Sequence, residues 1–140
     1  MTPITFRSSR LVEFRDTDAA GIVHFSVFFQ YMEQAEHEFL RSRGLSVFGS
    51  DEQGRLTWPR VSASCDYHGS ARFEDTVDVD LAIERIGEKS LTYAFTFSVT
   101  GAEIAKAKLT VVCCRETAPG RYVSTPIPEW FRKRLTTPAS

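Results

Sequence analysis

Ser26-Val27-Phe28-Phe29-Gln30-Tyr31-Met32-Glu33-Gln34-Ala35-Glu36-His37-Glu38-Phe39-Leu40-Arg41-Ser42-Arg43-Gly44 is the stretch that decides the fold. Phe28, Met32, Ala35 and Phe39 recur at helical spacing on one stripe, and Phe29, Tyr31 and Leu40 widen it. Ser26 reads as the N-cap, Arg41 and Arg43 suit the negative end of the helix dipole, and Gly44 supplies a left-handed terminator. The spacing predicts a helix over residues 27–43. An apolar face this wide needs cover on most sides, so the helix is expected to be deeply buried.

On either side the period drops to two. Ile4, Phe6, Val12 and Phe14 share one parity and predict a half-buried strand to about Arg15, followed by a loop over residues 16–24. Beyond a polar connector, alternation resumes near Trp58 and runs through Val61, Ala63, Cys65 and Tyr67. Val77, Val79, Leu81 and Ile83 form the next apolar face, and Leu91, Tyr93, Phe95, Phe97 and Val99 the one after, with a hairpin turn at residues 86–89. Gly101-Ala102 turns the chain into a strand from Ile104 to Arg115. A short strand near Tyr122 and a helical turn over residues 130–135 end the chain. The order of strand, long apolar helix and four or five antiparallel strands predicts an α+β fold. A curved antiparallel sheet wraps the helix and keeps an edge and an outer face for dimerisation.

The 140 residues suffice for one core and one domain, residues 1–140. A net charge of -1 removes the basic field on which nonspecific nucleic-acid binding depends. No window approaches the roughly 20 apolar residues of a membrane span, and Met1 to Arg10 lacks the features of a secretory signal. Cys65, Cys113 and Cys114 are odd in number, and an adjacent pair closes no ordinary disulfide, which points to reduced thiols and the cytoplasm. His24, His37 and His68 are far apart, and no ligand spacing for a metal is present.

Glu13-Phe14-Arg15-Asp16-Thr17-Asp18-Ala19-Ala20-Gly21-Ile22-Val23-His24-Phe25, followed by the Phe28-Phe29 helix, combines a D-x-D, a small-residue turn and Gly-Ile-Val. This segment resembles the signature of the 4-hydroxybenzoyl-CoA thioesterase-like family. Residues 59–75 with Phe73-Glu74-Asp75, then Lys89-Ser90-Leu91 and Pro126-Ile127-Pro128-Glu129, extend the resemblance along nearly the whole chain. It implies a hotdog fold, an acyl-CoA substrate, no cofactor, and a homo-oligomer that is at least a dimer and a tetramer by family likeness. It also implies that Asp18 acts on the thioester and that Lys89 contacts CoA phosphate.

The chemistry of the residues agrees. Thioester hydrolysis needs a carboxylate nucleophile or a base for water, plus donors for the oxyanion. Asp18 lies just before a helix whose first amides, around His24, Phe25 and Ser26, are expected to point at the carbonyl, with the Phe25 amide holding its oxygen. Gly21 lets backbone approach the substrate. His24 is read as a substrate contact, although a lone histidine beside a helix start is usually a hydrogen-bonding residue; His68 reads as structural by itself, and the resemblance, which puts it on a strand that lines the acyl pocket, implies a substrate contact. On spacing alone, Asp18 is more often a turn-former than a catalyst, and Asp16 reads as a turn residue or a partner of Arg15. Glu33 reads as a buried or interface carboxylate paired with a base, and His37 as structural.

Phe25 stands where many relatives carry His, and Val27 where they carry Asn. Gly87 and Glu88 occupy positions where aromatic-acyl relatives carry arginines, for which Arg85, Arg72 and Arg121 are candidate substitutes. Two other readings stand beside the acyl-CoA hydrolase: a thioesterase acting on acyl carrier protein, and a non-catalytic module that binds acyl-CoA.

Overall fold

The computed structural model describes residues 5–137. The helix read from the apolar stripe is α1, Val27–Ser42, with Phe28, Tyr31, Met32, Ala35, Phe39 and Leu40 all buried. Burying each large side chain of this stripe contributes about 1.5–3 kcal/mol relative to leaving it exposed. Gly44 ends the helix at φ +69, as the sequence indicated. Ser26 holds the N-cap position, but its backbone is already helical and its side chain makes no capping bond. The turn starts earlier: the Val27 amide donates to the His24 carbonyl at 2.9 Å.

Strand β1 is Phe6–Leu11, shorter than expected, and Ile4 lies outside the described residues. Residues Phe14–Asp16 form a 3-10 turn held by reciprocal bonds between Glu13 and Asp16, each side chain accepting from the other's backbone. That local bonding outcompetes strand pairing, and Phe14, expected to point inward, is 77% exposed.

Beyond α1 come β2 (Ser50–Asp51), β3 (Gly54–Thr57), β4 (Arg60–Tyr67), β5 (Thr76–Ile86), β6 (Ser90–Val99), β7 (Ala102–Val112), β8 (Cys114–Ala118), β9 (Arg121–Ser124) and helix α2 (Glu129–Thr136). The main sheet runs β1-β5-β6-β7-β4, with each neighbour antiparallel. Its inner face carries Val77, Val79 and Leu81, then Tyr93, Phe95 and Phe97, then Ala105, Ala107 and Leu109, all buried in one core with α1. Both hairpins joining β5, β6 and β7 fall where the sequence placed them.

The expected single strand from Ile104 to Arg115 is two strands. At Cys113 the chain leaves the main sheet, its amide donating to the Lys89 carbonyl at 2.7 Å, and β8 joins a second sheet ordered β2-β3-β8-β9. Those partners are too short for alternation to register in sequence. Cys65, Cys113 and Cys114 are free, and burial pushes the Cys113 thiol up to about 11.

Helix α1 and strand β4 are tied together by charge. The carboxylate that the helix buries is Glu36, 1% exposed, whereas Glu33 has a 56% exposed side chain. Both meet Arg60 at the start of β4, so the base expected for Glu33 is present but its burial is not. Strand β4 forms one edge of the main sheet and is exposed along both faces except at Cys65, which is half-buried. Among the described residues, no helix is long and apolar enough to cross a membrane.

Candidate active site

The loop between β1 and α1 is a miniature hairpin. Thr17 and Val23 bridge in antiparallel fashion, and the Asp18 amide donates to the Ile22 carbonyl at 2.8 Å. The far side is fastened by a second bridge, Ile22 to Arg72, and by the Val23 amide donating to the Ala71 carbonyl at 2.8 Å. Between the bridges the chain must reverse, and Gly21 does so at φ +81.

Asp18 stands at the mouth of this hairpin, partly exposed. Its Oδ1 accepts from the Ala20 amide at 2.8 Å and the Ile22 amide at 3.4 Å. Its Oδ2 has no partner among the described residues. One oxygen therefore positions the side chain, while the other has its lone pairs free of protein donors among the described residues. A carboxylate held in this way can attack a carbonyl carbon or take a proton from water.

The helix tip lies beside the loop because the His24 amide donates to the Asp16 carbonyl at 2.8 Å. Three amides were expected to face a substrate, and two of them are engaged within the chain. His24 N is spent on Asp16, and Ser26 N donates to His24 Nδ1 at 3.2 Å. The Phe25 amide has no acceptor among the described residues. The same peptide run is pinned from the sheet, where Tyr67 Oη donates to the Phe25 carbonyl at 2.8 Å. The 16-residue α1 behind it directs its positive dipole end toward this tip.

The remaining candidates are distributed unevenly. His24 is half-buried and uses Nδ1 as an acceptor from Ser26, which leaves the proton on Nε2; its ring stacks on Phe25 at 4.6 Å. His68 follows β4, and its Nε2 is 2.8 Å from Glu103, so its imidazole is engaged at that end of the sheet. Strand β5 starts beside the loop and runs for 11 residues, a span of roughly 35 Å by strand rise, and Lys89 lies past its far end. Within one chain it is not brought to Asp18. Arg72 is instead a basic residue held against the loop, its Nη1 lying 3.8 Å from where a Gly21 side chain would begin. Asp16 is bonded to Glu13 N and Tyr31 Oη rather than to Arg15. Among the described residues, no three His, Cys, Asp or Glu side chains stand close enough to share a metal ion.

Sequence reasoning missed Tyr31 and Tyr67. Each reads as an apolar-face residue, and nothing local in the chain signals where a phenol oxygen will bond across the fold.

Gly21→Ala tests the reversal directly. A β-carbon there meets only ordinary van der Waals contact, so the cost is backbone strain of about 1–2 kcal/mol. Expected are a melting temperature lower by a few degrees and a several-fold loss of turnover, with Gly21→Asn milder because Asn tolerates that region. An alanine variant as stable as wild type would show that the turn is not constrained.

Residues 12–135 match the Thioesterase-like superfamily. A 1,4-dihydroxy-2-naphthoyl-CoA hydrolase from Prochlorococcus marinus (strain NATL2A) is 30% identical over 107 residues, covering 71% of this chain and 69% of that protein. A hypothetical protein from Aquifex aeolicus, 29% identical, superposes with a TM-score of 0.84 over 94% of this chain and 99% of that one. A variant of 4-hydroxybenzoyl-CoA thioesterase, complexed with 4-hydroxybenzoyl-CoA, superposes with a TM-score of 0.82 over 96% of this chain and 100% of that one. At 17% identity this last likeness speaks to the fold alone. The chain therefore belongs to the Thioesterase-like superfamily of hydrolases and carries the hotdog fold.

Proposed function

We propose that this enzyme hydrolyses an acyl-CoA to the free acid and CoA, with Asp18 as the reacting carboxylate. The observation that carries the reading is one carboxylate oxygen, Asp18 Oδ2, and one amide, Phe25 N–H, both without a partner among the described residues, on two segments joined by the His24-to-Asp16 bond. Asp18 Oδ2 adds to the thioester carbon, or removes a proton from a water that adds there. The carbonyl oxygen takes up the negative charge against the Phe25 amide and the positive end of α1. The C–S bond then breaks, and CoA departs as thiolate. In the nucleophilic route, water afterwards cleaves the acyl–Asp18 anhydride.

A homo-oligomer with acyl-CoA between subunits fits two features. Strand β4 leaves a row of unpaired backbone groups at the sheet edge, with Val61 59% exposed. Lys89, too far from its own Asp18, is then available to a CoA phosphate reaching a neighbouring subunit's site. Gly21, His24 and His68 contact substrate in this reading.

The test is thiol release from a panel of benzoyl-, phenylacetyl- and short aliphatic CoA thioesters. Turnover of at least one at an enzyme-like rate is expected. Tight binding of every thioester with no thiol released would mean a binding module. Turnover confined to carrier-protein thioesters would move the substrate off CoA.

A further inference from the structure

We propose that Tyr31 is a positioning residue whose buried hydroxyl, acting through Asp16, sets the Asp18 loop in register with the tip of α1. The proposal rests on the acyl-CoA hydrolase reading and adds a residue that does not touch the reacting atoms.

Tyr31 is 4% exposed and lies one turn into α1, its ring 6.4 Å from that of Phe28. A buried phenol must find a partner, and this one donates to Asp16 Oδ2 at 3.0 Å. The same oxygen accepts from Glu13 N at 2.9 Å, and the Asp16 carbonyl accepts from His24 N at 2.8 Å. Asp16 therefore joins the chain before the loop, the chain after it and the body of the helix. Residues 17–23 hang from that junction as the hairpin that presents Asp18. Among the described residues, no other α1 side chain hydrogen-bonds to residues 12–22.

The direction of donation is secure. Burial first, and then the charge of Asp16, hold the Tyr31 phenol well above its ordinary value, so at neutral pH it keeps the proton that it donates. Tyr31 and Asp16 border a polar cavity of about 520 Å³ that Arg10, Glu13, Gln30 and Gln34 also line. In Tyr31→Phe, water can therefore solvate Asp16 Oδ2, which also keeps its bond from Glu13 N. The fold survives while the helix loses its hold on the loop. A small misplacement of a reacting group relative to an oxyanion donor lowers the chemical step more than binding.

The experiment measures kcat and KM by thiol release in the full chain for Tyr31→Phe, Asp16→Ala, the double variant and Asp18→Asn, with melting curves for each. Expected for Tyr31→Phe is a kcat about tenfold lower, the loss of one hydrogen bond to a charged group, with KM within about twofold. In the Asp16→Ala background, Tyr31→Phe should cost nothing further, because the two act through one bond. A merely stabilising Tyr31 would lower the melting temperature and leave kcat per folded protomer unchanged. That result, an additive double variant, or a change in KM alone would overturn the proposal. If Asp16→Ala does not fold, Asp16→Asn takes its place: it removes the charge, and the Tyr31→Phe effect should shrink in that background and overturns the proposal if it does not. Full turnover by Asp18→Asn would instead remove the underlying reading, whatever Tyr31→Phe does.

Discussion

Asp18→Asn is expected to lower acyl-CoA turnover by about 10²–10⁴-fold, the range in which a positioned acid or base contributes, while the protein stays folded and keeps its oligomeric state. The two oxygens of the carboxylate explain why this variant is clean. Oδ1 carries both structural bonds, from Ala20 N and Ile22 N, and an asparagine Oδ1 accepts them as well. Only Oδ2, without a partner among the described residues, becomes an NH2 group that can neither attack a carbonyl nor take a proton. Stability should therefore change by less than about 1 kcal/mol, as for substitutions that remove no buried contact. Thiol-release kinetics beside a melting curve and a sizing column decide it. A folded variant with wild-type-like turnover would end the case for Asp18.

Arg60→Met should be the most damaging single change to stability away from the apolar core. Glu36 is 1% exposed, and its carboxylate is answered by the Arg60 guanidinium, with Nη1 to Oε2 at 3.1 Å and a second, closer contact from Nη2. Burial pushes the Glu36 carboxyl above its ordinary value of 4.5, and Arg60 pulls it part of the way back. Removing one partner of a buried pair costs about 3–5 kcal/mol, and the lower end applies because the Arg60 side chain is 30% exposed. For a domain of this size that is a fall of about 10 °C in melting temperature.

The sign of the pH dependence is set by the upward shift. A carboxyl whose folded value lies above its unfolded value binds its proton more tightly when folded. It therefore weakens the fold as pH rises from about 4.5 through the folded value. Without Arg60 the folded value rises further, so the deficit of Arg60→Met should be largest at neutral pH and shrink on acidification toward pH 5. Adding Glu36→Leu should recover most of the loss, because two apolar side chains leave no buried charge unanswered. A pH-independent deficit, or a double variant no better than the single, would show that Glu36 is not the charge at stake.

Regular stretches of this chain are legible in sequence and irregular ones are not. Val77, Val79 and Leu81 alternate cleanly, as do Tyr93, Phe95 and Phe97, and each lies on the buried face that alternation assigns. Phe14 shares that parity with Phe6 and yet faces solvent, because the Glu13–Asp16 capping bonds turn the backbone before the strand reaches it. Glu33 and Glu36 are both acidic positions of α1, and only the placement of Arg60 and the sheet decides which is buried. Strand β8 reads in sequence as the end of β7, since a strand that changes sheets does not change its pattern.

By itself the sequence determined the apolar helix, the successive strands it sits against, and the presence of a carboxylate just ahead of a helix start. These depend on periodicity and on neighbours a few residues apart. Only the tertiary structure decided which oxygen of Asp18 and which helix-tip amide are left without a partner among the described residues, and that Lys89 lies beyond the end of β5 remote from the Asp18 loop. Those outcomes depend on bonds between residues distant in the chain, such as Tyr31 to Asp16 and Tyr67 to Phe25. A hydrogen bond consumes a donor wherever the fold happens to bring an acceptor, and no local pattern records that.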